Sequence, residues 1–188
     1  WNNVVRWEFK HPTPFIRTRE FLWCEGHTAF ASREEAEQEI KGIMALWKEI
    51  TEDYLALAGI SGKKGEAEKF AGAIASYSIE YFLPNGRAAQ GPDAHFDGQN
   101  FAKAFDITFL NEEGKKDYVW QNTWAITTRM IGIMAMAHGD DRGLVLPPKI
   151  APVQAVIVPI MFEESKKKVI DEEDKIQNPQ KNSDCMEK

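Results

Sequence analysis

Apolar and polar residues alternate from Val4 to Phe9, with Val5, Trp7 and Phe9 on one face and Val4, Arg6 and Glu8 on the other. That period predicts a strand with charge on one side. His11-Pro12-Thr13-Pro14 then turns the chain, because two prolines in three residues remove the N–H groups a ladder needs. Phe15 to Phe21 reads as the returning strand. Phe15, Arg17, Arg19 and Phe21 share one parity in it, which breaks the apolar-in, polar-out rule of a half-buried sheet. From Ala31 to Ala58 the period becomes helical: Ser32 and Glu35 offer a capping box, Ile40, Ile43, Met44, Trp47, Ile50 and Tyr54 recur at helical spacing, and Gly59 ends the run.

Gly59 to Lys69, rich in Gly, Lys and Glu, reads as an exposed loop, and residues 73 to 83 as a strand. Pro84-Asn85-Gly86 predicts a hairpin turn, and a partner strand from Arg87 runs into Gln90 to Phe96. A short helix over Gly98 to Phe105 follows, then a strand over Asp106 to Leu110, a turn at Asn111-Glu112-Glu113-Gly114 and a strand from Tyr118 to Ile126. Thr127 or Thr128 can cap a buried helix from Arg129 to about Ala137, and Gly139 to Pro148 is an irregular loop. Val153 to Pro159 is nearly all apolar, as in a parallel sheet, with a helix start at Glu163. The expected class is α+β: an antiparallel sheet with flanking helices over residues 1–150, then the start of an α/β domain over 151–170. The charged stretch 171–188 is expected to be a polar tail, disordered or foreign to the core.

Composition changes this picture little. With 188 residues, 43% hydrophobic and 28% charged, the chain is an ordinary globular protein. A net charge of −6 argues against gripping nucleic acid with the whole surface, so any RNA contact needs a local basic patch. Cys24 and Cys185 show neither metal spacing nor a disulfide framework, which suits a reducing cytoplasm. The apolar run near Ile150 to Phe162 is broken by Pro152, Gln154 and Pro159 and is too short to span a bilayer. The chain begins at Trp1, so its true start is expected upstream.

Three constellations carry candidate chemistry. Arginines along the first hairpin offer guanidinium forks that match phosphate oxygens, beside flat aromatic faces; the competing reading is a hairpin with arginines in solvent. Arg129 at the start of a buried helix combines free N–H groups with a cation, as an anion binder would, or it pairs with a local carboxylate. Gln90-Gly91-Pro92-Asp93-Ala94-His95-Phe96 holds a histidine that is either a structural hydrogen-bonding group or a ligand-binding one.

Val5-Arg6-Trp7-Glu8, then Phe15 to Trp23 (FIRTREFLW) and Glu25 to Phe30 (EGHTAF), resemble the motif 2 region of class II aminoacyl-tRNA synthetases, and within them the prolyl-tRNA synthetases. Lys69-Phe70-Ala71-Gly72 fits the same family, Arg129 occupies its motif 3 position, and His138 to Pro148 is similar to its signature loop. The resemblance covers about residues 1 to 165. It implies that ATP and proline form prolyl-adenylate, which is then transferred to tRNA(Pro). Arg6 would stabilise the α-phosphate and touch the proline carboxylate, while Arg17 and Arg129 would hold the remaining phosphates or flank the base. Phe21 would stack on adenine, Thr18 and Glu8 would read its edge, and Thr127 would line the nucleoside end. Gln90 and Asp93 would lie near the triphosphate with Mg²⁺, and Trp23, Glu25, His27, Phe70 and His95 around the proline.

Asp93, Ala94, Cys24 and Asp97 depart from the family pattern, which has threonine and serine where this chain has Asp93 and Ala94. Counterparts of motif 1 and of the upstream amine-clamping loop are missing, so the chain is expected to be the central part of a longer, homodimeric enzyme. A threonyl-type synthetase and a non-catalytic synthetase-like module are the alternatives.

Overall fold

The computed structural model describes residues 1–8, 10–160, 162 and 166–177. Within residues 1–150 six strands form one antiparallel sheet in the order β1-β2-β8-β5-β4-β3. They are β1 (Asn2–Val5), β2 (Glu20–Phe30), β3 (Ile60–Lys63), β4 (Ala75–Phe82), β5 (Ala88–Gly98) and β8 (Trp120–Thr127). A separate two-stranded ladder joins β6 (Thr108–Leu110) to β7 (Lys116–Tyr118).

Side-chain alternation divides the central strands into two working faces. Thr28 of β2 and Asn122 of β8 turn to helix α1 (Arg33–Glu49), where both hydrogen-bond Glu39 and the Asn122 amide also donates to the Ala36 carbonyl at 2.8 Å. Ala36 and Ile40 of that helix pack with Ala75, Ala94 and Phe96. A second cluster joins Trp47 to Ile79, Tyr81 and the Met130, Ile133 and Met134 face of helix α3 (Arg129–His138). Full burial of each of these large side chains contributes roughly 1.5–3 kcal/mol. The opposite face of β2, β8 and β5 is left to line a cleft.

Gly26 marks how closely the strands approach there. A Cβ on it would lie 2.1 Å from the Trp124 ring, so only glycine fits without displacing that indole. At the β4–β5 turn Gly86 takes φ 77°, as the Asn-Gly pair predicts.

Several expected boundaries move. The first strand ends at Val5 rather than running on toward Phe9, which lies outside the described residues. Phe15 to Phe21 is not a strand throughout: Phe15 has φ 58°, Thr13 and Arg17 exchange backbone hydrogen bonds of 2.9 Å, and β2 begins only at Glu20. Pro12 and Pro14 thus set a tight local turn, and the shared parity of Phe15, Arg17 and Arg19 has no ladder to act in.

Helix α1 starts at Arg33 behind the Ser32–Glu35 capping box. It passes at Ile50 into a π-helical turn ending at Tyr54, well before Gly59. Thr51 donates its hydroxyl back to the Trp47 carbonyl at 2.8 Å, and Ala56 at φ 52° stops the helix. The supposed loop Gly59–Lys69 contains β3, an exposed edge strand whose polar composition hides its pairing to β4.

Residues 151–188 form a second unit. Val153 to Pro159 is not a strand; among the described residues nothing pairs with it, and an unpaired segment forms no ladder. Of the two alternatives for the tail, disorder does not hold over its first residues, which belong to helix α4 (Lys166–Gln177), where Lys175 and Glu172 pair at 3.0 Å. Glu163 and residues 178–188 lie outside the described residues. Among the described residues no helix is long and apolar enough to cross a membrane.

Candidate active site

The cleft, about 660 Å³, is floored by β2, β8 and β5 and walled by the Pro14–Thr18 turn and the start of α3. All fourteen residues singled out from the sequence line it: Arg6, Glu8, Arg17, Thr18, Phe21, Trp23, Glu25, His27, Phe70, Gln90, Asp93, His95, Thr127 and Arg129.

One end is cationic. The Arg6 guanidinium lies 5.5 Å from the Phe21 ring centroid and 5.6 Å from that of Trp23, which holds the fork over two aromatic faces. Those rings meet edge to face at 6.0 Å. Arg129 is anchored at both ends: its backbone N–H donates to Thr127 Oγ1 at 3.1 Å, so Thr127 rather than Thr128 supplies the side-chain cap. Its Nε donates to the Ile16 carbonyl at 2.9 Å and its Nη1 to the Gln90 carbonyl at 3.2 Å. Burial, then the like charge of Arg17 and, more weakly, of Arg6 lower the Arg129 pKa, partly offset by Asp93. Three cations from separate stretches of chain therefore share one field. Arg17 also stands 3.9 Å from Glu8, a loose and exposed pair worth little by itself.

The middle of the cleft is aromatic and largely neutral. Phe70 stacks on His95 with centroids 4.9 Å apart. Ser76 Oγ accepts the Phe70 N–H at 2.9 Å and meets His95 Nδ1 at 2.8 Å, so one buried hydroxyl sets both rings. Burial, reinforced by the positive charge of Lys64, pushes the His95 pKa down to about 4, which leaves the ring neutral at pH 7. His27 and Glu25 pair at 3.2 Å along the same face of β2.

Asp93 is not left facing the cleft alone. Its Oδ2 accepts from Gln90 Nε2 at 3.0 Å and lies 3.6 Å from His95 Nε2, while Gln90 Oε1 accepts from Lys64. Burial raises its pKa to about 6, against the opposing pull of Lys64 and Arg129. The Asp93 carbonyl also accepts from Trp47 Nε1 at 3.0 Å, tying this strand to α1.

Sequence reading missed Lys64, Ser76, Gln121 and Thr123. The last two were legible in principle, since Gln121, Thr123, Ala125 and Thr127 share one face of β8 and all line the cleft. Lys64 carried no signal, because its partner Gln90 is set by the β3–β4–β5 pairing. Among the described residues no three His, Cys, Asp or Glu side chains cluster to cage a metal.

The buried ionisable groups give a pH prediction with opposing signs. A carboxyl raised to about 6 binds protons more tightly in the folded chain, so Asp93 takes stability away as pH rises from about 4 to 6. His95, lowered to about 4, adds stability as pH rises from about 4 to its ordinary 6.5. Asp93→Asn removes only the first contribution. Urea unfolding at pH 4 and pH 8 should then show the variant gaining roughly 2–3 kcal/mol on the wild type at pH 8 relative to pH 4; an identical pH slope would contradict the buried carboxyl.

The stretch that builds this antiparallel sheet and its arginine-lined cleft, residues 2–138, matches the model of the tRNA synthetase class II core domain (G, H, P, S and T). The chain belongs to that family. It is 56% identical over 166 residues to the cytoplasmic proline–tRNA ligase of Arabidopsis thaliana, covering 88% of this chain and 31% of the relative. It is 52% identical to the proline–tRNA ligase of Parabacteroides distasonis, covering 85% and 32%. A crystal structure of prolyl-tRNA synthetase from Cryptosporidium parvum with L-proline and AMP superposes at a TM-score of 0.79 and 51% identity, covering 89% of this chain and 37% of that one. The same protein with halofuginone and AMPPNP gives 0.79 at 50% identity, covering 92% and 36%. The chain thus spans about a third of the length of these relatives.

Proposed function

We propose that this chain is the catalytic core of a proline–tRNA ligase that joins proline to ATP and passes the prolyl group to tRNA(Pro). The observation that carries the reading is the meeting of Arg6, Arg17 and Arg129 at one end of a cleft whose next stretch is walled by Trp23, Phe70 and a neutral His95. Cations suit a triphosphate and a carboxylate; an apolar, ring-walled stretch suits a pyrrolidine. A threonyl pocket would need a hydrogen-bonding wall at that place.

In this reading a proline carboxylate oxygen attacks the α-phosphorus, the bond to the bridging oxygen breaks, and pyrophosphate leaves. A terminal ribose hydroxyl of the tRNA then attacks the adenylate carbonyl and releases AMP. Arg6 neutralises the α-phosphate and aligns the proline carboxylate, while Arg17 and Arg129 hold the remaining phosphates. Phe21 stacks on adenine, Thr18 and Glu8 meet its edge, and Thr127 lines the nucleoside. Glu25 and His27 hold the polar rim of the amino-acid stretch, and Gln90 is fixed near the phosphates. Such transfer depends on positioning and preorganised charge rather than on a covalent intermediate.

A magnesium ion fits as a companion of the nucleotide, since such ions bind through one or two carboxylates plus phosphates, and Asp93 is the buried carboxylate that would share it. When bound, it would offset charge on the departing pyrophosphate. Residues 151–170 are proposed, on the resemblance alone, as the lead-in to an anticodon-binding module. The whole protein is proposed to be a cytoplasmic homodimer, the location resting on the name of the Arabidopsis relative.

The test is exchange of labelled pyrophosphate into ATP by the protein that carries this chain. Exchange should depend on proline and exceed that with threonine or alanine by at least about a hundredfold. Equal exchange with threonine, or none with proline, would overturn the reading.

A further inference from the structure

Phe70 lies in the loop after β3 rather than on the sheet, yet it lines the cleft. Ser76 of β4 hooks it there, its Oγ accepting the Phe70 N–H at 2.9 Å. Ser76 is 0% exposed and stands directly across from His95 in the β4–β5 register, and its Oγ meets His95 Nδ1 at 2.8 Å. The Ser76 carbonyl accepts the Lys64 N–H at 2.8 Å, so the chain on both sides of β4 holds this residue in place.

Donor accounting then locates a proton. A hydroxyl has a single hydrogen to give and accepts through its lone pairs. The Phe70 N–H takes up one lone pair, and among the described residues the other partner of Oγ is Nδ1. Were Nδ1 protonated, in the other neutral tautomer or in the imidazolium, Oγ would accept twice and its own proton would be buried without an acceptor. The arrangement that satisfies every group has Ser76 donating to Nδ1 and the ring proton on Nε2. Nε2 is 3.6 Å from Asp93 Oδ2, beyond hydrogen-bond reach, and His95 lines the cleft. Its N–H is open to a ligand oxygen, and the ring has no lone pair left with which to take a proton.

Resting on the proline reading given above, we propose that Ser76 is a positioning residue for the amino-acid half of the cleft: it hooks the Phe70 ring onto His95 and holds His95 as a hydrogen-bond donor rather than a base. The stacked pair, with centroids 4.9 Å apart, gives a pyrrolidine a flat wall, and the Nε2–H meets an acceptor oxygen of the bound amino acid. Neither ring then has to be ordered when the substrate arrives. Ser76 itself is buried and acts through the two rings it holds.

Pyrophosphate exchange by the protein that carries this chain, with its Ser76→Ala and Ser76→Thr variants, tests the proposal. Ser76→Ala should raise KM for proline about tenfold or more and leave KM for ATP within about twofold, because the arginine end keeps its contacts. Ser76→Thr keeps the hydroxyl and should bring KM for proline back to within about threefold of the wild type. A serine that only steadied the fold would lower the active fraction, and with it kcat, without separating the two KM values; that result would overturn the proposal and leave the proline reading intact. Neutron diffraction from deuterium-exchanged wild-type crystals locates the proton directly, and it decides the matter even if a variant fails to fold. A deuteron on Nε2 and none on Nδ1 is expected, and one on Nδ1 would overturn the proposal. Absence of proline-dependent exchange in the wild type would instead overturn the proline reading and the proposal with it.

Discussion

Arg6→Ala is expected to lower proline-dependent pyrophosphate exchange by about 10²–10³-fold, with the folded state intact. Arg6 follows β1, its backbone N–H donates to the Arg19 carbonyl at 2.7 Å, and its guanidinium rests over the exposed part of Phe21 and Trp23. Nothing in the core depends on it, since its side chain sits at the cleft mouth. Removing it takes away charge aimed where charge develops, and the loss should fall mainly on kcat. Arg6→Lys should recover little, because an ammonium is a point charge without the planar fork that stacks on two rings. Steady-state exchange with both variants checks this, and an unchanged rate would remove Arg6 from the chemistry.

Arg129→Ala is expected to do two things at once: abolish measurable exchange and loosen the Pro14–Thr18 turn. The Arg129 side chain bonds the Ile16 carbonyl and the Gln90 carbonyl, so it joins that turn to β5 while presenting charge to the cleft. Deleting it leaves two acceptors without their charged donor, a cost of roughly 1–3 kcal/mol for each that water cannot reach. Amide hydrogen exchange at Ile16 and Arg17, whose N–H groups bond Pro14 and Thr13, should then speed up, while that in α1 stays slow. Unaltered protection at the turn would show that Arg129 is not its anchor. Arg129→Lys can reach one carbonyl at a time, so it should restore less than a tenth of the activity.

These two arginines also show how far local sequence reaches. Arg6 is legible because the apolar–polar alternation from Val4 puts it on the charged side, although β1 itself ends one residue earlier, and Arg129 because it opens a helix behind two threonines that can cap it. What the resemblance added was their convergence, since 123 positions separate them and only the sheet order brings β1 and the end of β8 to the same side. The turn at Phe15 was misread as strand because alternation there is real in the residues, yet two prolines and a positive φ override it. The exposed edge strand β3 was misread as loop because polar, glycine-rich composition is what a solvent-facing edge and a loop have in common.

Within the cleft, the limit was tertiary. Nothing local to Asp93 announces that Gln90 will donate to its carboxylate while Lys64 holds the other end of that amide, and nothing local to Asp97 announces an unpartnered oxygen. Both follow from which strands become neighbours and where β5 bulges. The apolar run Val153–Pro159 fails as a strand for the converse reason: periodicity identifies a candidate, and pairing decides it.

Binding of a non-hydrolysable prolyl-adenylate analogue, followed by calorimetry on the protein that carries this chain, examines both halves of the cleft in one ligand. The expected result is binding at least about a hundredfold tighter than ATP or proline alone, since one rigid ligand engages both ends. A threonyl-adenylate analogue should bind at least tenfold more weakly, and Arg6→Ala should cost the prolyl analogue at least tenfold. Equal affinity for the two analogues, or prolyl-analogue affinity untouched by Arg6→Ala, would contradict a cleft in which the arginines hold the nucleotide and the aromatic walls select proline.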